Sequence, residues 1–169
     1  MSDADEAGKH SAARPDRRAL SSAARLYAVQ ALFQMEAAGI SADRVQREFR
    51  TYRIGAEDED GRAAEADETM FARILDDAVQ WQSRIDQATD RGLVAKWPID
   101  RIDPVLRALF RAAGAELVTP RTPPKVVIAE YVRLAEAFFP EGKEPKFVNA
   151  VLDHVARQLR PDAFPGATS

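Results

Sequence analysis

Residues 16–38 read DRRALSSAARLYAVQALFQMEAA, and this stretch decides the fold class. Its apolar residues recur at the spacing of an α-helix rather than that of a strand. They fall on two faces, with Leu20, Ala24, Tyr27, Ala28, Ala31 and Met35 on one and Leu26, Val29 and Phe33 on the other. A helix that is apolar on two faces is expected near the centre of a bundle. Gly39 follows as its C-terminal stop.

Further helices are predicted along the rest of the chain from apolar periodicity and capping residues. Ser41 and Thr122 are predicted to cap two of them, and Asp103 followed by Pro104 to begin another. The predicted helices cover residues 41–52, 67–91, 103–117, 122–138 and 145–159. Residues 55–66 are predicted to form an acidic loop. This pattern predicts a compact all-α bundle of six or seven helices without a strand.

The length of 169 residues suits a single domain with a substantial core. We expect a disordered tail over residues 1–15, a helical domain over 16–160, and a frayed tail over 161–169, because the two ends are poor in apolar residues. The chain shows no apolar run of membrane-spanning length and no apolar signal region. These features predict a cytoplasmic protein.

Candidate catalytic and metal-binding residues are few. The chain has no cysteine, which excludes disulfides and thiolate chemistry, and its two histidines, His10 and His154, are isolated in sequence. Neither a P-loop glycine pattern nor a paired-histidine motif occurs. Asp76 and Asp77 are adjacent, so on a helix their side chains diverge by about 100° and cannot act as a dyad. The sequence therefore predicts a protein that binds rather than an enzyme, with no metal or cofactor.

Charge is unevenly distributed although the net value is only −3. Cationic side chains gather near the start of the first helix, at Arg14, Arg17, Arg18 and Arg25. Residues 55–77, in contrast, hold nine carboxylates and two arginines. A polyanion would be attracted to the first segment and repelled by the second. The arginines are candidate RNA contacts, and a solvated helix end is the alternative interpretation.

A second candidate RNA contact is the segment 145–149, PKFVN, which opens the last helix. A cation, an aromatic ring and an amide at a helix N-terminus are suited to binding phosphate and stacking on a base. Lys146, Phe147 and Asn149 are the residues in question. The alternative is that Phe147 packs in the core and Asn149 hydrogen-bonds a loop.

Four collinear stretches resemble one family. They are ARLYAVQALFQ at residues 24–34, a helix running from Trp97 to Leu117 around FRAA at 110–113, PKVVIAE at 124–130, and KFVNAVLD at 146–153. Together they resemble the NusB family of transcription antitermination factors. The resemblance implies an all-α fold of two helical subdomains. It also implies binding to the boxA element of ribosomal RNA transcripts together with the ribosomal protein NusE, followed by assembly with other Nus factors on RNA polymerase.

The resemblance also assigns residues. Arg25, Lys146 and Phe147 match the RNA-contacting positions of the family, whereas Ser21, Ser22 and Ala23 stand where its dense arginine run would be. The surface expected to bind NusE lies near Phe33 and the start of the helix at 103–117. The residues assigned to it are Phe33, Asp103, Leu106 and Arg107, with Phe33 replacing a tyrosine and Leu106 an acidic residue of the family.

Two alternatives remain open at the level of sequence. A similar helical domain precedes the catalytic domain of some ribosomal RNA methyltransferases, so the chain could be an RNA-recruiting relative of those enzymes. It could also be a helical adaptor or a homodimer without an RNA role, which its acidic net charge favours.

Overall fold

The computed structural model describes residues 16–93 and 98–165 of the chain. The all-α prediction is confirmed, because these residues form seven α-helices. They are α1 Arg17–Ala38, α2 Ala42–Tyr52, α3 Glu68–Gln80, α4 Gln82–Gly92, α5 Pro104–Val118, α6 Pro124–Phe138 and α7 Glu144–Leu159, with 3-10 turns at Ile99–Arg101 and Pro161–Ala163. The predictions made for the tail at 1–15, including Arg14, for Trp97 and for residues 166–169 lie outside the described residues.

Side-chain caps fix where most of these helices begin. In four helices a side-chain oxygen of the N-cap residue accepts a hydrogen bond from a backbone N–H of the first turn. These N-cap residues are Asp16, Ser41, Asp67 and Asp103. The cap predicted at Thr122 is wrong, since α6 has Pro123 at its N-cap and no side-chain cap bond. Two consecutive prolines position this helix start, because their fixed φ already suits a first helical turn.

The central helix is α5, which packs against α1, α3, α4, α6 and α7. Every residue from Leu106 to Leu117 except Arg111 is buried. Alanines and one glycine make up much of that run, so neighbouring helices approach closely from several sides. At Gly114 an added Cβ would overlap the side chain of Ile85 on α4. The central place predicted for α1 therefore belongs to α5, and α1 leaves Phe33 exposed on one face.

The helix predicted over residues 67–91 is two helices in the structure. It breaks at Trp81, whose backbone leaves the helical region at φ −107° and ψ 16°. Before the break α3 packs on α1 and α5, and after it α4 packs on α7 and α5. Because of the break, the two halves of one continuous apolar stripe pack against different helices. Periodicity alone does not reveal such a break.

Two further segments differ from their sequence-based description. Within the acidic loop, two-residue strands β1 (Glu57–Asp58) and β2 (Gly61–Arg62) pair antiparallel, where no strand is expected. Beyond the predicted boundary at residue 160, the Pro161–Ala163 turn packs on α7. There the guanidinium of Arg157 lies 4.6 Å from the centre of the Phe164 ring.

Candidate nucleic-acid interface

The first turn of α1 and the first half of α6 together line a basic groove of ≈ 630 Å³. Arg17 and Arg18 contribute exposed side chains from α1. Lys125 and Arg133 contribute exposed side chains from α6, one near the start of the helix and one two turns later. Three of the predicted RNA-binding arginines, the exposed Arg17 and Arg18 and the buried Arg25, thus line a groove with two cations that the sequence did not single out.

A second groove, of ≈ 510 Å³, continues across α6 to α7. It shares Lys125, Ala129 and Arg133 with the first groove and reaches Asn149 on α7. Lys146 lies one turn before Asn149 and is exposed, so it stands on the same side of α7. The structure therefore connects Arg17 and Arg18 to the predicted contacts on α7 through the surface of α6.

Phe147 lies on the other flank of α7. Its ring is half-buried and meets that of Phe110 on α5 edge to face, with centroids 6.1 Å apart. Phe147 directly precedes Val148, which is buried in the core, and it shares a stripe of α7 with His154, whose side chain lies beside Gly92 of α4. The five-residue segment 145–149 therefore presents its aromatic ring and its amide on different sides of the helix.

Arg25 is buried, with only 6% of its surface exposed. Its guanidinium donates two hydrogen bonds to Glu116 on α5, Nε to Oε2 at 2.9 Å and Nη2 to Oε1 at 3.0 Å. Its Nη1 lies 3.9 Å from Glu130 on α6, and that carboxylate also accepts a hydrogen bond from Ser22. One arginine thus links the N-terminal half of α1 to both α5 and α6, directly beneath the basic groove.

The charge state of this cluster follows from its contacts. Burial lowers the pKa of the Arg25 guanidinium, but the hydrogen bond and charge of Glu116, aided by neighbouring Tyr131 and Glu130, raise that pKa by more. Arg25 therefore remains cationic inside the protein. Its side chain is already committed to carboxylates, so the structure gives it a positioning role, and its direct contact with phosphate stays a prediction.

The surface predicted for a partner protein contains an apolar groove of ≈ 370 Å³. Phe33 lines this groove and is 39% exposed. Other lining residues are Val29 on α1, Val105 on α5, Phe138 on α6 and Arg53. Neither Val105 nor Phe138 was assigned to this surface from the sequence, which predicts that Phe138 faces inward. In the structure both are half-buried and line the groove.

The other predicted partner residues have structural partners inside this chain. Asp103 is exposed, and its carboxylate accepts from the N–H of Val105 as the cap of α5. Leu106 is buried. Arg107 forms an ion pair with Glu36 and donates to the backbone oxygens of Ile99 and Ile102. Most of α5 is covered, so Phe33 and the first turn of α5 are the parts of this predicted surface that a partner can reach directly.

Arg111 extends the ion-pair network at the edge of this surface. Its guanidinium lies 3.0 Å from Glu36 and 2.9 Å from Asp86 on α4. The hydrogen bond from Arg107 lowers the pKa of Glu36, partly opposed by burial and aided by Arg111. The network joins α1, α4 and α5, and it holds Glu36 as a carboxylate.

Two negative findings apply to residues 16–93 and 98–165. No cluster of histidine and carboxylate side chains there has an arrangement that could hold a metal ion. None of the helices in those ranges is both long enough and apolar enough to cross a membrane.

Comparison with known proteins identifies the family. The NusB family model matches residues 22–157. The transcription antitermination protein NusB of Maricaulis maris is 47% identical over 150 residues, covering 88% of this chain and 93% of that protein. The crystal structure of T. maritima NusB has a TM-score of 0.67 at 27% identity, covering 85% of this chain and 95% of its own. A chain from the crystal structure of antitermination factors NusB and NusE in complex with dsRNA shares the fold, with a TM-score of 0.64 at 24% identity, covering 81% of this chain and 96% of that one. The match over most of the sequence, in an all-α structure with the same fold, shows that this chain belongs to the NusB family.

Proposed function

We propose that this chain is a transcription antitermination factor that acts by binding and not by catalysis. Its RNA ligand is boxA of ribosomal RNA transcripts, and its protein partner is NusE. The resulting complex joins other Nus factors on RNA polymerase in the cytoplasm. Support comes from the name shared by its relatives, transcription antitermination protein NusB, and from a match that spans most of their length.

The observation that carries the RNA part of this proposal is the first turn of α7. Lys146 is exposed there, and Phe147 is half-buried, with its ring in edge-to-face contact with that of Phe110. A ring held on one side by the core is pre-oriented to stack on an unpaired base, and an adjacent ammonium group is suited to the phosphate. Phosphate contacts alone give binding without sequence preference. A preference for boxA therefore requires contacts to unpaired bases, which stacking on Phe147 would hold at this surface.

The protein partner is assigned to the groove around Phe33. An exposed phenyl ring beside Val105 and Phe138 offers apolar area whose burial would favour association. NusE binding at this groove would leave α7 and the basic groove of α1 and α6 accessible to RNA.

The test is fluorescence anisotropy of a boxA oligomer and of a scrambled oligomer, each with and without NusE. We expect Lys146→Ala with Phe147→Ala to weaken boxA binding by roughly 5- to 150-fold, since stacking on an aromatic ring contributes about 1–3 kcal/mol per base. The scrambled oligomer should lose much less. Lys146→Ala alone is the matched control, because it removes the charge and leaves the ring. Circular dichroism of the double variant checks that the contact with Phe110 is not needed for folding.

Two results would contradict the proposal. An equal loss of affinity for both oligomers would remove base readout from Phe147. No gain in boxA affinity on adding NusE would favour the adaptor or homodimer alternative, which light scattering of the chain with and without RNA would then examine.

A further inference from the structure

We propose that α6 carries the RNA backbone across the molecule on a surface formed by Arg17, Arg18, Lys125 and Arg133, here termed the α1/α6 surface. It binds the phosphates of single-stranded RNA without regard to sequence, and it is separate from the base contact proposed at Phe147. This inference rests on the proposed function in taking RNA as the ligand.

The positions of the cations define a continuous path. Lys125, Ala129 and Arg133 follow one another at intervals of four residues, so they form one stripe on α6. The groove on one side of this stripe contains Arg17 and Arg18, and the groove on the other leads to Asn149. Lys125 and Arg133 are separated by about 12 Å along the helix axis, which gives room for more than one phosphate.

The cations on this surface are available to a ligand. Within the described residues, Arg17, Arg18 and Lys125 take part in no ion pair. Arg133 has an exposed side chain and only a 3.6 Å contact with Glu130. Glu130 itself is buried, and the nearby Arg25 is shared with Glu116, so Glu130 offsets one of the four cations and leaves the other three uncompensated. The surface therefore presents net positive charge on a protein that is acidic as a whole.

Besides Glu130, the acidic groups nearby lie at the two ends of the α1/α6 surface. Glu136 and Asp153 line the second groove, and Asp153 is paired with Arg157 at 3.0 Å. Asp16 caps α1 by accepting from Ala19. These carboxylates limit the positively charged surface to the α6 stripe and the start of α1, and they do not separate its cations from one another.

The floor of the surface favours a sugar-phosphate backbone over bases. Besides the four cations, the groove between α1 and α6 is lined by Ser21, Val126, Ala129 and the buried residues Arg25 and Glu130, and none of its lining residues in the described part of the chain is aromatic. Without an aromatic platform, stacking cannot supply base contacts here, so charge is the main attraction on offer. A polyanion fits this chemistry better than an acidic protein surface, because flexible cations spaced along a groove suit a linear array of charges.

The test compares Lys125→Gln with Arg133→Gln against a charge-matched control, Arg47→Gln with Arg50→Gln. The control arginines are exposed on α2 and belong to no ion pair among the described residues. Affinity for the boxA and scrambled oligomers is measured by anisotropy over a salt series. Loss of two phosphate contacts should reduce the slope of log K against log salt by about 1.4, since each contact on a single strand contributes about 0.7. Both oligomers should lose affinity by the same factor, and the control should keep the wild-type slope.

Three results of this experiment would overturn the inference, and a fourth would separate it from the proposed function. An unchanged salt slope in the Lys125→Gln, Arg133→Gln variant overturns the inference. An acidic protein would then be the better candidate ligand for these cations. An equal change in the α2 control also overturns it, because net charge would then explain the effect. A loss confined to boxA overturns it in favour of base contacts. If the wild-type chain shows no preference for boxA while the slope still falls only in the α6 variant, the proposed function fails and the phosphate surface stands.

Discussion

Replacing Arg25 with methionine removes the buried cation that faces both Glu116 and Glu130. Methionine keeps much of the volume of the aliphatic part of the side chain, so the main change is the loss of charge and of two hydrogen bonds. Glu116 is then a buried carboxylate without its partner, while Glu130 keeps the contact with Arg133 at 3.6 Å. We expect Arg25→Met to destabilise the protein strongly.

The expected size follows from the burial of the pair. The side chains of Arg25 and Glu116 are each 7% exposed, so solvent screens this ion pair little. Removing one partner of a buried ion pair costs about 3–5 kcal/mol in the free energy of unfolding, because the remaining charge is left without compensation. For a domain of this size that loss corresponds to a fall of roughly 6–20 °C in Tm.

The assay is urea and thermal unfolding followed by circular dichroism, with Arg25→Met, Glu116→Leu and the double variant in one cycle. The double variant removes both members of the pair, and we expect it to recover most of the lost stability.

The same variant separates positioning from direct RNA contact. If Arg25 positions α1 against α5 and α6, folded Arg25→Met keeps the wild-type salt slope for RNA binding. A slope lower by about 0.7 would instead indicate a lost phosphate contact. A loss of stability below about 1 kcal/mol, or a double variant as unstable as the single one, would refute the role assigned to the buried pair.

Two further predictions concern the helices that support the site. Glu36→Gln should destabilise the protein at neutral pH and have no effect in strong acid. Arg107, aided by Arg111, lowers the pKa of Glu36 in the folded state. The stabilisation by the Glu36 carboxylate is therefore present above its unfolded-state pKa and lost as the pH falls through its folded-state pKa. Urea midpoints of both proteins over a pH series check this prediction, and a difference in midpoint that stays constant with pH would contradict it. Gly114→Ala should cost about 1–3 kcal/mol by overlap with Ile85, although alanine is the better helix former. In the background of Ile85→Ala the same change should cost little in thermal unfolding, and a full cost there would place the clash elsewhere.

Local rules were sufficient for most helix boundaries. Asp16, Ser41, Asp67 and Asp103 are cap residues that satisfy backbone N–H groups of their own first turn, so their effect is written in the adjacent sequence. The break at Trp81 was not predictable in this way. The apolar stripe continues through it, and only the separate partners of α3 and α4 require the chain to bend.

The candidate RNA contacts also differ in whether the local sequence is enough to identify them. Lys146 and Phe147 could be named from a short motif, because a helix start with a cation and an aromatic ring is a local feature. Lys125 and Arg133 could be placed on one stripe of a helix by their spacing. Their relation to Arg17 and Arg18 depends on contacts between α1 and α6, which are distant in the chain.

Composition and periodicity by themselves determined that this protein is all-α, and short motifs indicated its family. Only the tertiary structure decided which charges are available to a ligand. Arg18 and Arg25 look alike in the sequence, yet one is exposed on the first turn of α1 and the other is buried between two carboxylates. The reason is that burial and ion pairing depend on Glu116 and Glu130, which lie about a hundred positions away in the sequence and meet Arg25 only after α5 and α6 have packed against α1.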